Sequence, residues 1–362
     1  MNILIITSSL APGGAERVVS ELANNWSQAG HNVTVILFYD KPIFYNVSSQ
    51  VLIHVLKQNN KKEYINKLAK YYEIRKYIIT NKPDVVLSLP EEIGIYVLGA
   101  LIGTNIPVVV SERNNPWLMP YKKITRFLRW ILYRRASGIV FQTEVAQSFF
   151  SKQIRDKSIV LNNPVDLSRI HEVSRKKRQK IIAGAGRLFK QKNFRLLIDA
   201  FSLVQSKHSE FKLVIYGEGY QKEELLSYAS SKLPQNSYEF PGQKQNLLEL
   251  LNNISVFVLS SDFEGMPNVL LEAMLMGVPC VSTDCPSGGP AQIISNGENG
   301  LLVPINDHNA LAEKICRIIE DEEFAQKLSN NAIMIKSQYD SNIVSQKWLE
   351  FLLSCRYNIL KS

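Results

Sequence analysis

The chain of 362 residues contains only four cysteines and no long apolar run. All four cysteines lie in the second half without a Cys-x-x-Cys pair, so we interpret them as core residues rather than metal ligands or disulfides. The longest apolar stretch, residues 93–102, is about half of the ~18 residues that a membrane span needs. The apolar residues 3–6 follow no basic leader and are too few for a signal peptide. We therefore expect a cytoplasmic protein, peripheral on the inner face of the plasma membrane.

An excess of acidic charge is also absent, and the positive surplus is confined to one half of the chain. The formal net charge is +9. Residues 1–165 hold 20 Lys and Arg against 11 Asp and Glu, whereas residues 166–362 hold 22 of each. We therefore expect the ligand or surface that this charge attracts to meet the N-terminal half.

Short β-branched runs alternate with helical patterns along the whole chain, which predicts an α/β protein with two doubly wound parallel sheets. The predicted strands cover residues 3–6, 33–38, 85–89, 108–111, 138–142, 159–161, 181–185, 212–216, 255–260, 280–283 and 301–303. We predict domains over residues 1–165 and 166–340, with a polar linker over 164–180. A helix within residues 341–362 either completes the second domain or crosses back to the first. Ligands are expected in the cleft outside the carboxyl ends of the strands.

Two glycine-containing loops follow predicted strands. The first, residues 11–17, places Gly13 and Gly14 before a helix, whose free N–H groups suit an anion. Its spacing is neither G-x-G-x-x-G nor the Walker pattern, so an ordinary tight turn is the alternative. The second loop brings Arg187 and Lys192 to the end of a strand, where two cations can neutralise a diphosphate; surface cations are the alternative.

The most specific pattern is residues 260–273, Ser-Ser-Asp-Phe-Glu-Gly-Met-Pro-Asn-Val-Leu-Leu-Glu-Ala. Gly265 and Pro267 indicate a turn into a helix, which puts Glu264 on the loop and Glu272 two turns down the same side. A carboxylate beside a helix N-terminus can accept hydrogen bonds from sugar hydroxyls, while the free N–H groups near Asn268 and Val269 suit phosphate.

Together these motifs resemble the retaining glycosyltransferases of family 4, which have the GT-B fold. The resemblance covers nearly the whole chain and is closest to bacterial enzymes that extend undecaprenyl-diphosphate-linked glycans. It depends on six motifs in the expected order: residues 13–16, Gly186-Arg187-Leu188 with Lys192-Asn193, Gly217-Glu218-Gly219, Phe240-x-Gly242, Glu264-Gly265 with Glu272, and residues 299–303.

The resemblance implies roles for matching positions. Arg187 and Lys192 would bind the diphosphate of a nucleotide sugar, Glu264 the sugar hydroxyls and Glu272 the ribose. Further donor-binding positions are Gly13, Gly14, Gly217, Glu218, Gly242, Gly265, Met266, Asn268 and Val269. No Asp-x-Asp triplet is present to hold a divalent metal, so we expect no metal and no other cofactor. Arg187, Lys192 and helix dipoles would meet the charge of the leaving group.

One position departs from the family pattern. Many members have His where this chain has Arg113, after the strand of residues 108–111. Arg113 stays protonated and cannot act as a base. Glu112 would instead orient or deprotonate an acceptor hydroxyl, and a helix-capping or salt-bridged Glu112 is the alternative.

Two segments hold the basic surplus. Residues 57–76 carry seven cations and two acids, and residues 121–135 carry six cations and no acid. In the second segment Ile124, Phe127, Leu128, Ile131 and Leu132 form a helical stripe, which predicts either contact with an anionic membrane or packing in the core with solvated cations. The predicted acceptor and membrane residues are Arg113, Lys67, Lys70, Lys122, Lys123, Arg126, Arg129 and Trp130.

These observations favour a retaining glycosyltransferase that moves a hexose or N-acetylhexosamine, from a donor expected to be UDP-linked, to a lipid-diphosphate-linked saccharide. The partners expected are the nucleotide sugar, that acceptor and an anionic membrane, but not nucleic acid. Alternatives are a GT-B sugar-nucleotide 2-epimerase, a GDP-mannose-dependent mannosyltransferase, and a nonenzymatic basic surface-binding module.

Overall fold

The computed structural model describes residues 1–57, 63–172 and 178–361, without the side chains of residues 63–65 and 358–361. The chain divides into two compact units. The first comprises Met1–Asp166 and Gln338–Ser362, and the second comprises Leu167–Ser337. Residues 173–177 of the predicted linker, and Lys61 and Lys62 of the first basic segment, lie outside the described residues.

The first unit is built on a seven-stranded parallel sheet in the order β3-β2-β1-β4-β5-β6-β7. Its strands are β1 (Asn2–Thr7), β2 (Asn32–Leu37), β3 (Leu52–Val55), β4 (Val85–Ser88), β5 (Val108–Ser111), β6 (Gly138–Phe141) and β7 (Ser158–Val160). Its first helices are α1 (Gly14–Gln28), α2 (Glu63–Asn81), α3 (Glu91–Ala100), α4 (Lys123–Leu132), α5 (Glu144–Ser148) and α6 (Lys152–Arg155).

The second unit is built on a six-stranded parallel sheet in the order β10-β9-β8-β11-β12-β13. Its strands are β8 (Gln179–Ala185), β9 (Lys212–Tyr216), β10 (Tyr238–Gly242), β11 (Ile254–Leu259), β12 (Cys280–Thr283) and β13 (Leu301–Val303). Its helices are α7 (Phe194–Lys207), α8 (Lys222–Lys232), α9 (Leu247–Asn252), α10 (Asn268–Leu275), α11 (Gly289–Ile293), α12 (His308–Glu320) and α13 (Glu322–Ile333), and the short α14 (Lys336–Tyr339) follows.

Both faces of each sheet are buried, which explains the nearly continuous apolar runs. In β1, Ile3 and Ile5 pack into one core cluster while Leu4 and Ile6 pack into another on the opposite face, as alternation along a strand requires. All eleven predicted strands form, and the predicted α/β class with two parallel sheets is confirmed.

Two strands, β3 and β10, were not predicted from the sequence. Each lies at the edge of its sheet, where one side is unpaired and fewer side chains are enclosed. Leu52 and Ile53 are exposed in β3, and β10 is mostly half-buried. His54 interrupts β3, and Glu239 and Pro241 interrupt β10, so neither has the continuous apolar run that identified the other strands, including the edge strands β7 and β13.

The last helix, α15 (Ser341–Lys361), belongs to the first unit. Trp348 is fully buried in that core, and its indole N–H donates to the carbonyl of Asn162 at 3.2 Å. The indole of Trp26 in α1 donates to the carbonyl of Ser345 at 2.9 Å. Among the described residues, no helix combines the length and apolar character needed to cross a bilayer.

Candidate functional site

Two predicted site residues of the second unit meet directly. β8 and β11 are neighbours, so the loops that leave their carboxyl ends lie side by side. Lys192, in a short turn after β8, forms an ion pair with Glu264 in the loop after β11, and both side chains are largely buried. The Ser261 hydroxyl donates to the same Glu264 oxygen at 2.6 Å. This cluster places a cation and an oriented carboxylate at the carboxyl edge of the sheet.

Arg187 lies on the same loop as Lys192 but is exposed. Its guanidinium stands 5.1 Å from the centre of the Phe189 ring, which in turn packs against Tyr220 at 4.9 Å. The stacked ring leaves the guanidinium edge accessible to an anion. The two cations therefore differ in environment: Arg187 is exposed to solvent, whereas Lys192 is paired with Glu264.

Several predicted glycines permit close backbone approach at this edge. A Cβ on Gly217 would lie 1.9 Å from the carbonyl oxygen of Gly186, and Gly217 has φ +138°. A Cβ on Gly242 would lie 2.6 Å from a carboxylate oxygen of Glu218. Glu218 itself is exposed and pairs with Lys222 at 2.8 Å. These glycines bring the ends of β8, β9 and β10 together.

The loop after β11 leads into α10 as the sequence predicted. Gly265 and Met266 are buried, and Asn268 and Val269 are half-buried in the first turn of α10. Glu272 is 3% exposed one turn further along. The predicted donor-binding positions from Glu264 to Glu272 therefore lie on one continuous segment, formed by this loop and the first turns of α10.

Ser287 and Gly289, which were not predicted from the sequence, help to hold this loop in place. The Ser287 hydroxyl donates to the carbonyl of Glu264, and a Cβ on Gly289 would lie 1.4 Å from the carbonyl oxygen of Gly265. The Asn193 amide donates to Asp262 at 2.7 Å. The Ser-Gly-Gly-Pro run after β12 was a usable signal, since it marks a tight strand–helix turn.

In the first unit, a carboxylate covers the glycine loop. Gly13 and Gly14 begin α1 as predicted. A Cβ on Gly13 would lie 2.1 Å from a carboxylate oxygen of Glu16, and Ser8 donates to the other oxygen at 2.9 Å. The first turn of α1 therefore already has an acidic side chain of its own beside its N–H groups.

Arg129 and Glu112 form a buried ion pair, which corrects the prediction that Arg129 faces the acceptor or the membrane. Arg129, predicted to face acceptor or membrane, is 2% exposed and its guanidinium donates to Glu112 at 2.6 Å. The Tyr133 hydroxyl donates to the other oxygen of Glu112 at 2.5 Å. Burial raises the pKa of Glu112, while the Arg129 guanidinium opposes the rise. Both oxygens of Glu112 accept hydrogen bonds, so the salt-bridged alternative describes this residue in the structure, and its role as an acceptor base stays a prediction.

Arg129 also fastens the loop that precedes α4. It donates to the carbonyl of Met119 at 2.8 Å and to that of Pro116 at 2.7 Å. A buried guanidinium with partners on three sides serves as a structural anchor. Sequence periodicity predicts that Arg129 lies on a helix, but it does not predict that the side chain is buried.

Arg113 is also buried, with 7% of its surface exposed. Its Nη2 donates to Asn163 at 2.8 Å, and its backbone N–H donates to Glu91 at 3.3 Å. Burial lowers the pKa of Arg113 to about 10, and the carboxylates of Glu91 and Glu16 oppose this change.

Of the two predicted lysines on α2, Lys67 is exposed and Lys70 is not. The Lys70 ammonium donates to the carbonyl of Phe38 and lies 4.3 Å from the centre of the Tyr39 ring. Burial lowers the pKa of Lys70. The prediction that Lys70 faces a membrane or acceptor is therefore wrong, because its charge is used inside the unit.

Helix α4 exposes most of its apolar stripe. Ile124, Phe127, Leu128 and Ile131 are 40–62% exposed, whereas Leu132 is buried. The alternative that this stripe packs in the core is wrong for four of its five residues. Beside it, Lys122, Lys123 and Trp130 are exposed, and half-buried Arg126 donates to the carbonyl of Trp117 at 3.0 Å.

A possible metal-ligand group lies elsewhere, at the ends of α7 and α12. Within the described parts of the chain, His208, Cys316 and Glu320 have ligand atoms within 4.8 Å of one another. The His208 Nε2 lies 2.8 Å from a carboxylate oxygen of Glu320, so the two side chains already satisfy each other. None of the three is a predicted site residue.

Comparisons with known proteins agree with these observations. The family model "Glycosyltransferase Family 4" matches residues 12–169, and "Glycosyl transferases group 1" matches residues 168–334. A Campylobacter jejuni enzyme named GalNAc-alpha-(1->4)-GalNAc-alpha-(1->3)-diNAcBac-PP-undecaprenol alpha-1,4-N-acetyl-D-galactosaminyltransferase is 28% identical over 97% of this chain and 98% of its own. A second C. jejuni enzyme, N-acetylgalactosamine-N,N'-diacetylbacillosaminyl-diphospho-undecaprenol 4-alpha-N-acetylgalactosaminyltransferase, is 28% identical over 96% and 98%.

Solved structures share the fold. The crystal structure of Anabaena HepE with UDP-glucose superposes with a TM-score of 0.82 at 19% identity, over 97% of this chain and 99% of HepE. The two family matches together cover residues 12–334, and the likeness to HepE covers the fold of 97% of this chain. The chain belongs to the family 4 glycosyltransferases, enzymes of the GT-B fold.

Proposed function

We propose that this glycosyltransferase moves a hexose or N-acetylhexosamine from a UDP-sugar to a lipid-diphosphate-linked saccharide in surface glycan biosynthesis, with retention of anomeric configuration. The observation that carries the donor side is the Lys192–Glu264 pair at the carboxyl edge of the second sheet, with exposed Arg187 on the same loop. The names of the C. jejuni relatives support the lipid-linked acceptor. The UDP-glucose complex of HepE supports the donor class.

The cluster suggests how the donor is handled. Arg187 and Lys192 neutralise the diphosphate, whose negative charge grows as the bond to the sugar breaks. Glu264, already oriented by Lys192 and Ser261, accepts hydrogen bonds from sugar hydroxyls. The acceptor hydroxyl attacks C1 on the face that the diphosphate leaves, and its proton passes to the leaving phosphate oxygen. Glu272 binds the ribose, and the amides of the loop and first turn of α10 lie near the phosphates.

The donor is tested by thermal shift and by transfer. We expect UDP-sugars, rather than GDP- or ADP-sugars, to raise the melting temperature by several degrees at about 100 times Kd. Transfer to a polyprenyl-diphosphate saccharide should then give a product with the donor's anomeric configuration by NMR. Preferential stabilisation by GDP-mannose would favour the mannosyltransferase, and turnover of UDP-sugar without acceptor would favour the epimerase.

We also propose that the exposed face of α4 contacts the anionic membrane that carries the acceptor. Ile124, Phe127 and Ile131 form the apolar part, and Lys122 and Lys123 lie at the start of the helix with the charge that anionic lipid attracts. Behind this face is a cavity of about 280 Å³ with aromatic and arginine side chains in its lining: Trp117, Trp130, Phe149, Phe150, Arg126 and Arg134. Such a lining suits a lipid phosphate and the first part of its chain.

Vesicle binding tests the α4 surface. We expect the double change Phe127→Ser and Ile131→Ser to weaken binding to phosphatidylglycerol vesicles about 100-fold or more, because roughly 1.5 kcal/mol or more is lost with each of the two apolar side chains that no longer enter lipid. Fluorescence of the exposed Trp117 and Trp130 provides the signal. Leu203→Ser, an exposed site in the second unit, is the matched control. Equal binding by the double variant and the unchanged protein would exclude α4 as the contact.

A further inference from the structure

Helices α7 and α12 pack against each other and end side by side at the amino edge of the second sheet. His208 caps the end of α7, just before β9 begins. Glu320 is the last residue of α12, and its carboxylate meets the imidazole of His208. A helix between parallel strands returns the chain to their amino ends. The two helix ends therefore lie at the edge opposite to the Lys192–Glu264 cluster.

Three side chains that can ligate a metal meet at these helix ends. The ligand atoms of His208, Cys316 and Glu320 all lie within 4.8 Å of one another. Cys316 and Glu320 are one helical turn apart, so α12 presents both on the same face. With zinc bonds of about 2.0–2.3 Å, neighbouring ligands in a tetrahedral site are roughly 3.3–3.8 Å apart. Small side-chain rotations bring the three groups to that spacing, and coordination then replaces the contact between His208 and Glu320.

The surroundings of this group favour a divalent cation. Two helices end here, and a helix C-terminus carries a partial negative charge. Burial raises the pKa of the Cys316 thiol, and Glu320 adds to the rise while Lys207 opposes it. The thiol proton would pass to solvent on coordination, and one thiolate with one carboxylate balances the charge of a divalent ion. The guanidinium of Arg317, one position along α12, stacks on the ring of Phe324 at 3.8 Å.

A cavity beside the group gives an ion room and a path from solvent. It has a volume of about 600 Å³ between α7 and α12, and Cys316 and Glu320 are part of its lining. Cys316 is buried, His208 is half-buried and Glu320 is exposed. Three protein ligands beside open space leave a fourth position for water.

The donor set selects the metal. Nitrogen, sulfur and oxygen from His, Cys and Glu suit Zn²⁺, whereas Mg²⁺ and Ca²⁺ prefer oxygen ligands alone. We propose that His208, Cys316 and Glu320 bind Zn²⁺, with water as the fourth ligand, and that the ion fastens the end of α7 to α12. This site goes beyond the proposed function, since it lies away from the donor loops. Cys316 would be a ligand, contrary to the expectation from the sequence.

Metal binding to the full chain tests the site. After treatment with a chelator, we expect calorimetric titration to show one Zn²⁺ bound per chain. Zn²⁺ at about 100 times Kd should raise the melting temperature by several degrees. Cys316→Ser, His208→Gln and Glu320→Gln should each raise Kd roughly tenfold or more, because each removes a ligand. Co²⁺, used as a spectroscopic probe, should give thiolate-to-metal charge-transfer absorption that is absent in Cys316→Ser.

The matched controls are His308→Gln and Glu313→Gln, because both residues lie on α12 but outside the three-ligand group. Their Kd for Zn²⁺ should equal that of the unchanged protein, and circular dichroism would verify that every variant folds. Zn²⁺ binding that depends on the three ligands, without a thermal shift by UDP or transfer from any nucleotide sugar, would refute the proposed function but leave the metal site standing.

Three outcomes would overturn the metal site. One is the absence of saturable Zn²⁺ binding to the unchanged protein. Another is an unchanged Kd in Cys316→Ser and His208→Gln, which would assign the bound ion to other side chains. The third is Co²⁺ binding without thiolate charge transfer. Should Cys316→Ser not fold, His208→Gln and Glu320→Gln, at less buried positions, carry the test.

Discussion

Replacing Glu264 by glutamine is expected to lower kcat for sugar transfer by about 100-fold or more, a typical cost of losing a preorganised electrostatic contact. The glutamine oxygen can still accept from Ser261, so the loop keeps its hydrogen bond. What is lost is the negative charge that orients Lys192 and that, in the proposed mechanism, accepts hydrogen bonds from the sugar hydroxyls. Steady-state kinetics with a UDP-sugar and a lipid-linked acceptor provide the measurement.

The matched control for this change is Glu224→Gln. Glu224 is an exposed carboxylate of the same unit and pairs with Arg195 on the surface, where removal of a charge has little effect. Vesicle binding should be unchanged in both variants, because α4 belongs to the first unit. If kcat of Glu264→Gln stays within about threefold of the unchanged enzyme while the melting temperature is unaffected, the assigned role of Glu264 is wrong.

Arg129→Ala is expected to destabilise the first unit by about 3–5 kcal/mol, the usual cost of leaving one charge of a buried pair alone. Glu112 would lose its guanidinium partner, and the carbonyls of Pro116 and Met119 would lose their donors. Chemical denaturation followed by tryptophan fluorescence measures this unit alone, since all four tryptophans lie within it. Exposed Arg134→Ala on the adjoining turn is the control and should change stability by less than about 0.5 kcal/mol.

The stability of the Arg129→Ala variant should fall as the pH rises. Burial raises the pKa of Glu112 in the folded protein, and Arg129 opposes that rise, so removal of Arg129 raises the pKa further. A carboxyl with a raised folded-state pKa binds its proton more tightly when folded, and stability falls as pH rises. We expect Arg129→Ala to lose stability between about pH 5 and pH 8, and the double change with Glu112→Gln to remove this dependence. If the stability of Arg129→Ala did not change between pH 5 and pH 8, the pKa of Glu112 would not be raised in the folded protein.

The strands with continuous apolar runs were predictable because a parallel sheet buried on both faces needs apolar side chains at every position. β3 and β10 were not, because polar residues or proline interrupt their apolar runs: His54 in β3, and Glu239 and Pro241 in β10. In the second unit, the loops with Arg187, Lys192 and Glu264 could be placed from sequence, since each follows a recognisable strand. The Ser-Gly-Gly-Pro run that contains Ser287 and Gly289 indicates a tight turn, but the contacts of these two residues with Glu264 and Gly265 were not predictable, because the turn signal does not specify which distant segment packs against it.

The distribution of the positive charge shows what the sequence can and cannot predict. The sequence alone established that the excess of nine charges lies in residues 1–165, and that residues 121–135 combine cations with an apolar stripe. Only the tertiary structure decided which charges face outward. Arg129 and Lys70 are buried and hydrogen-bonded inside the first unit. Lys122, Lys123 and most of the apolar stripe of α4 lie on the surface. The reason is physical: helical periodicity specifies which side chains share a face, but the partners that a face meets come from distant segments, here Glu112 for Arg129 and Phe38 for Lys70.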